Sequence, residues 1–296
     1  MASATSSTGS GFEFHTLNGL ARAIEYGDQS GGRLELVGFD RPEVLAMLAV
    51  QELPPALQRP MVFVFATDAD AADFESAVRF FSSATRVSHL PSFDISAYSG
   101  LYPSPRTVAS RVHWLWNLGA KTPDTLFTAT VESLSQRKIP KTLLSKSGLK
   151  YRKGQDISET LSDDLLRLGY QSSPLVEDVG SFAIRGSVVD IFSPAHDLPL
   201  RFDLFGDTIE SIRHFNPTDQ RSADELTTTA TIVPAKEFLL TDEAKETASQ
   251  WFKRDLQSRK LETTETRELL QSLALGHLFP GIDFLLPAFH STFETP

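Results

Sequence analysis

Residues 180–222 read GSFAIRGSVVDIFSPAHDLPLRFDLFGDTIESIRHFNPTDQRS, and the run LPLRFDLFGD inside them alternates with a period of two. Side chains of a strand point to opposite faces in turn, so Leu200, Phe202 and Leu204 share one face and Arg201, Asp203 and Phe205 the other. One face belongs to a core and the other is wet. Gly180, Gly186 and Gly206 punctuate the stretch at turns or bulges, which predicts strands near 175–178, 181–192, 199–205 and 208–215. An aromatic as large as Phe205 beside an arginine on a wet face is the composition that interface hot spots favour. The residues alone leave two readings open: a docking face, or a solvated Arg201–Asp203 pair with Phe205 tucked under a loop.

Before this stretch the pattern changes to alternating strands and helices. RLELVGF at 33–39 is a short apolar strand, RPEVLAMLAVQEL an amphipathic helix opened by Pro42, and PMVFVFATD at 60–68 a second buried strand. Residues 68–81 show helical spacing, with Ala72, Val78 and Phe81 among the apolar positions, and 87–90 is a further strand. A helix over 104–118, stopped at Gly119, places Val108, Val112, Leu115 and Trp116 in a core. DTLFTAT at 124–130 adds a strand and VESLSQR starts a helix. Such alternation predicts an α/β domain with a mostly parallel sheet covered on both faces. The basic run at 137–153 holds seven lysines and arginines with no acid and reads as a solvated linker. DISETLSDDLLRLGY at 156–170 reads as a helix ahead of the alternating strands, and beyond them come a strand near 229–234 and helices near 242–258 and 264–275.

With 296 residues, 41% hydrophobic, the chain has room for two or three folding units. The absence of cysteine removes disulfides, thiolate zinc sites and cysteine nucleophiles. A net charge of -10 lacks the basic footprint of a nucleic-acid binder. The Ser/Thr/Gly-rich start, residues 1–12, reads as a flexible tail without signal-peptide character. No window approaches the roughly 18–20 apolar residues of a membrane span, so the expected location is cytoplasmic. The histidines are scattered outside ligand spacings, and His113 and His277 read as structural or surface residues. Asp163 and Asp164, adjacent on a helix, point in different directions and read as a solvated face, not an acid/base pair.

The central stretch resembles a segment shared by the transcription-repair coupling factors (Mfd) and the excision-nuclease subunit UvrB. The resemblance rests on Phe182, Ala183, Arg185, Gly186, Asp190, Ile191 and Phe192, then Pro199, Arg201, Phe205, Gly206, Asp207, Ile209, Glu210, Ile212, Arg213 and Phe215, then Gln220, Arg221 and Ser222. Ser181, Ser187 and Ser193 depart from the family pattern. Residues 90–118, 129–140 and 281–293 are similar to the coupling factors, and UvrB's tyrosine-rich DNA-clamping hairpin has no counterpart at 90–118.

A helicase-type ATP site needs G-x-x-x-x-G-K-[ST] after its first strand, because loop amides and one lysine hold the phosphates. After Val37 this chain has Gly38, Phe39, Asp40, Arg41, Pro42, Glu43 and Val44. The second glycine, the lysine and the hydroxyl are missing, Pro42 deletes an amide, and Asp40 and Glu43 repel phosphate. No ATP binding and no cofactor are expected. The resemblance implies the same, since the coupling factor's N-terminal module is UvrB-like without the nucleotide site. It further implies a degenerate helicase-like domain of the P-loop NTPase type, interrupted by a small α+β domain. The expected boundaries are a tail at 1–12, a first half at 13–141, an inserted domain at 142–217 and a second half at 218–296 that completes the first sheet.

The implied function is protein binding, with the inserted domain docking onto the damage-recognition ATPase UvrA. The family's contact residues fall on Arg185, Arg201 and Phe205, with Asp203 and Arg213 at the rim. Both guanidinium groups are expected to make bidentate pairs with partner carboxylates, and Phe205 to fill a small apolar pocket. Two alternatives stay open: a UvrB-like component that processes damaged DNA with nucleotide, and an autoinhibitory or structural domain whose same face covers another part of a longer protein.

Overall fold

The computed structural model describes residues 2–6, 11–14, 34–37, 41–51, 60–97, 99–120, 124–157, 159–259 and 264–290. It is a mixed α/β fold with parallel and antiparallel sheets. Packing divides it into two units, Met1–Pro91 with Ala120–Ser133 and Ser92–Gly119 with Leu134–Pro296. Each unit is thus built from two separate stretches of chain.

In the first unit, strands β1 (Ala2–Ser6), β2 (Gly11–Phe14) and β3 (Leu34–Val37) form an antiparallel sheet in the order β2-β1-β3. The expected flexible tail is thus partly strand: strand pairing draws on backbone groups that every residue but proline carries, whatever its polarity. Nor does Leu34–Val37 extend the parallel sheet, since it pairs antiparallel with β1. An apolar tetrapeptide fixes a strand but not its partner. Residues 38–40 lie outside the described residues.

The parallel sheet has three strands in the order β4-β6-β5, with β4 Val62–Phe65, β5 Arg86–Leu90 and β6 Thr125–Thr130. Helix Asp68–Phe81 begins with a capping box, in which Thr67 and Asp70 each satisfy the other's backbone N–H. It packs through Ala71, Phe74, Ala77 and Val78, with the Phe74 ring 4.8 Å from Phe63 and 5.3 Å from Phe65. Ala72, expected in the core, is exposed one position off the buried stripe. Strand β4, expected to be buried, is exposed on one face through Val62 (40%) and Val64 (52%) and only half-buried on the other through Phe63 and Phe65. Helix Pro42–Gln51 buries Ala46, Leu48 and Ala49.

The second unit holds a six-stranded sheet, order β13-β12-β11-β10-β9-β8, antiparallel except where β8 joins β9. Its strands are β8 Gln171–Ser172, β9 Ser181–Arg185, β10 Val188–Ile191, β11 Leu200–Phe205, β12 Thr208–Phe215 and β13 Ser222–Leu226. The expected strand at 175–178 is absent, its place taken by β8. The helix ahead of the sheet is shorter than its apolar pattern, Leu161–Arg167, and buries Leu161 and Leu165. Helix Pro105–Ala120 runs through Gly119 without stopping, and Val108 and Val112 are buried as expected.

The basic run at 137–153 is not a linker. It forms the helix Lys141–Ser147 and the strand β7 (Leu149–Arg152), which pairs antiparallel with β14 (Thr229–Ile232). Leu144 and Tyr151 enter the core while Lys146, Lys150, Arg152 and Lys153 stay exposed. Charge density hid a sparse apolar pattern. By taking β7 as its partner, β14 does not complete the parallel sheet, which corrects the expected interrupted sheet. One core joins Leu144, Tyr151, Leu165, Phe182, Phe202, Ile212 and Ile232. A second gathers helices Asp242–Arg259 and Leu286–Phe289 around Phe238, whose ring stacks on Phe289 at 5.1 Å. Among the described residues no helix is long and apolar enough to cross a membrane.

A buried charge network lies in this unit. Fully buried Arg111 donates to both oxygens of Glu237 and, at 2.8 Å, to Oε1 of Gln136, with its guanidinium 4.2 Å from the Phe93 ring centre. Lys138, only 4% exposed, donates to the carbonyls of Leu134 and Gln136. Burial, reinforced by the Arg111 charge, lowers the Lys138 pKa to about 8. The unfolded chain therefore holds more protons than the folded one between pH 8 and the ordinary lysine range, so this group's contribution to stability rises across that window. Urea unfolding at pH 7.5 and 9.5 should show wild-type stability gaining roughly 1–3 kcal/mol relative to Lys138→Met over that span; equal pH slopes would refute the depressed pKa.

Candidate functional site

The outer face of the six-stranded sheet is set by register. Across β9 to β12, Ala183 faces Asp190, Asp190 faces Arg201, and Arg201 faces Arg213. The neighbouring row runs Arg185, Val188, Asp203, Ser211. Between Asp203 and Leu204 the pairing shifts, leaving Glu210 as an extra residue in β12. The bulge keeps Ile209 and Ile212 both in the core although an odd number of positions separates them. Two tight hairpins frame the face. Arg185 pairs with Val188 across Gly186, and Phe205 with Thr208 across Gly206. Both glycines have positive φ, 59° and 62°, and the residue after each does not, the signature of a type II′ turn.

At the centre of the face stands Asp190, fully buried. A carboxylate there needs counter-charges and hydrogen-bond donors. Arg201 supplies a bidentate grip, Nε to Oδ1 at 2.7 Å and Nη2 to Oδ2 at 2.9 Å, and Arg185 donates from Nη2 to Oδ2. The remaining Arg201 nitrogen, Nη1, donates to the Gln220 carbonyl at 3.1 Å and to Ser222 Oγ at 3.3 Å. The guanidinium lies 4.4 Å from the centre of the buried Phe215 ring. Hydrogen bonding to Asp190 raises the Arg201 pKa above its already high ordinary value, so the charge is permanent. Arg185 also donates Nη1 to the Pro174 carbonyl at 2.7 Å.

The structure brings Arg185 and Arg201 together on one carboxylate, with Phe205 at the end of the same face and 81% exposed. The alternation of β11 holds: Leu200 and Phe202 are buried, and Phe205 is not tucked under a loop. Arg201 and Asp203 are not a solvated pair, since Arg201 grips Asp190 and Asp203 accepts from Ser211 Oγ at 2.6 Å. Two members of the site escaped the sequence reading. Asp190 was visible as a lone charge inside the apolar run VVDIF, and antiparallel pairing with LRFDLF puts it on the arginine face. Gln220 leaves no such signal; it sits at φ 62° and aims its carbonyl at Arg201.

Among the described residues no three His, Asp or Glu side chains are grouped to hold a metal ion. His113 is structural: its Nδ1 donates to the Pro194 carbonyl at 2.7 Å, and Nε2 accepts from Asn117. Asp164 binds Arg167 at 3.0 Å on a solvent-facing turn. Because Arg201→Ala strips the buried Asp190 of its bidentate partner, it should cost roughly 2–4 kcal/mol in urea unfolding. Phe205→Ala, on a side chain already in water, should change stability by less than about 0.5 kcal/mol.

Residues 149–238 match the family described as the UvrB interaction domain. These limits begin at the first residue of β7 and enclose β14, so the matched segment is closed by the β7–β14 pair. A transcription-repair-coupling factor of Myxococcus xanthus is 38% identical over 262 residues, covering 86% of this chain and 21% of the relative. That of Escherichia coli K12 is 30% identical over 228 residues, 75% of this chain and 19% of the relative. For Mycobacterium tuberculosis the figures are 28% over 280 residues, 89% and 22%. The chain thus spans about a fifth of the length of the relatives it matches. Residues 149–238 match the UvrB interaction domain, and over most of its length the chain is homologous to a segment of the transcription-repair-coupling factors.

Proposed function

We propose that this chain is the protein-binding module of a transcription-repair coupling factor, and that the outer face of its six-stranded sheet recruits the excision-repair protein UvrA in the cytoplasm. The observation that carries this is Phe205, 81% exposed at a hairpin tip on the same face as Arg185 and Arg201. A large aromatic held in water is unfavourable until a partner covers it, and an aromatic flanked by arginine is the usual composition of an interface anchor. Arg185, Arg201 and Phe205 form the centre of the docking face, with Asp203 and Arg213 at its rim. The partner surface offers a carboxylate and a small apolar pocket.

The same proposal makes the first unit a degenerate helicase-like domain of the P-loop NTPase type. The missing lysine and second glycine after Val37 leave no phosphate cradle, so the chain carries out no nucleotide hydrolysis of its own. A second reading, a UvrB-like protein as the partner, draws on the description of the matched family.

Titration calorimetry against purified UvrA, with UvrB in a parallel cell, separates the two. Saturable heat with UvrA is expected, weakened about 30-fold or more by Phe205→Ala, the loss of an interface anchor. Heat with UvrB alone would transfer the site to the second reading, and an unaltered Phe205→Ala isotherm would show that the partner binds another face. Phosphate release from ATP and Mg²⁺ is expected to stay at the blank level.

A further inference from the structure

The two arginines of the face are not equivalent. Arg201 keeps only 18% of its side chain exposed. Of the five N–H groups a guanidinium carries, four are donated within the chain: two to Asp190, one to the Gln220 carbonyl and one to Ser222 Oγ. One face of its plane is covered by Phe215. Arg185 is 41% exposed and donates one N–H to Asp190 and one to the Pro174 carbonyl. Its Nε–H and one further N–H on each terminal nitrogen remain for an outside acceptor.

Resting on the docking reading above, we infer that Arg185 alone meets the partner's carboxylate, and that Arg201 is a positioning residue that acts through Asp190. Arg201 fixes the buried carboxylate from one side. Asp190 then fixes Arg185 from below by a single bond, leaving the outer edge of that guanidinium aimed outward. Truncating Arg201 lets Asp190 draw Arg185 inward as its only counter-charge, because a buried carboxylate takes whatever cation is in reach. Arg185 shares a cross-strand row with Val188 and Asp203, and Phe205 lies two residues beyond Asp203. Ideal strand spacings set the Arg185 and Phe205 backbones on the order of 10 Å apart. The partner element is therefore one Asp or Glu beside one apolar pocket, with no second carboxylate for Arg201. Asp203 lies between the two anchors and disfavours a second acid there.

The test is a double-mutant cycle on the whole chain, reading UvrA affinity at several salt concentrations and Tm for each variant. Arg185→Gln should weaken binding about tenfold or more and flatten its salt dependence, with a smaller loss of Tm than Arg201→Gln, because Arg201 still grips Asp190 by two bonds. Arg201→Gln should lower Tm by several degrees and weaken binding without flattening the salt dependence, and its effect on affinity should vanish in the Arg185→Gln background. If Arg201→Gln does not fold, Arg201→Lys, which keeps a charge beside Asp190 but loses the fork, is read in the same cycle, with smaller losses of Tm and affinity expected and the affinity loss again vanishing in the Arg185→Gln background. Additive losses, or a salt dependence flattened by the Arg201 variant, overturn the division of roles and leave the docking reading standing. Absence of wild-type binding overturns both, and binding indifferent to Arg185→Gln but lost in Phe205→Ala overturns the division alone.

Discussion

A carboxylate with no access to water governs this face. Asp190 is fully buried in the middle of a sheet, where an uncompensated charge is costly enough to unfold a marginal domain. Two arginines on two different strands answer it, so strands β9, β10 and β11 are locked in one register by a charge as well as by their backbone ladder. A slip of one residue would turn both guanidinium groups to the core side. Through the Arg201 contacts to Gln220 and Ser222 the same carboxylate also ties down the turn that leads into β13. The charged cluster stabilises little by net energy. Its consequence is a unique arrangement of the outer face.

What was legible in the sequence follows from what alternation can encode. Period two in LPLRFDLF assigned faces correctly because each side chain reports its own environment. It could not report pairing. That is why Leu34–Val37 was placed in the wrong sheet, why β14 was expected beside the parallel strands, and why the basic segment ahead of β7 passed for a linker. In that run Ile139, Leu144 and Tyr151 are buried, and the lysines and arginines around them outvote these few positions in any local average. The guanidinium grips were hidden for a related reason. An arginine on a wet face looks the same in sequence whether it reaches outward or folds back onto a neighbour, and only the register reveals Asp190 within reach of both.

The β7–β14 pair brings the two ends of the matched segment together. Residues 149–152 and 229–232 meet in antiparallel register, so the chain enters and leaves the domain at one place. Between them Tyr170, itself buried, donates its hydroxyl to the Val233 carbonyl at 2.6 Å and fastens the segment that follows β14 to the base of the sheet.

The exposed aromatic is positioned by the same economy of backbone. Residues 154–157 run alongside the hairpin tip: the Gly154 amide donates to the Ile209 carbonyl, the Ile157 amide to that of Asp207, and Ile209 returns a bond to Gln155. The Thr208 hydroxyl adds a bond to Asp156 at 2.6 Å. Gly154 itself turns at φ 80°, a conformation that a side chain would strain, so the approach of this strap depends on glycine there. Phe205 therefore stands on a tip braced from the side, with only its own two side-chain torsions free. Binding through such a residue loses little conformational entropy, and that loss is what most reduces affinity at mobile loops. A rigid tip and an arginine held from below by a buried acid are two solutions to one problem, that of presenting a few groups in fixed positions before any partner arrives.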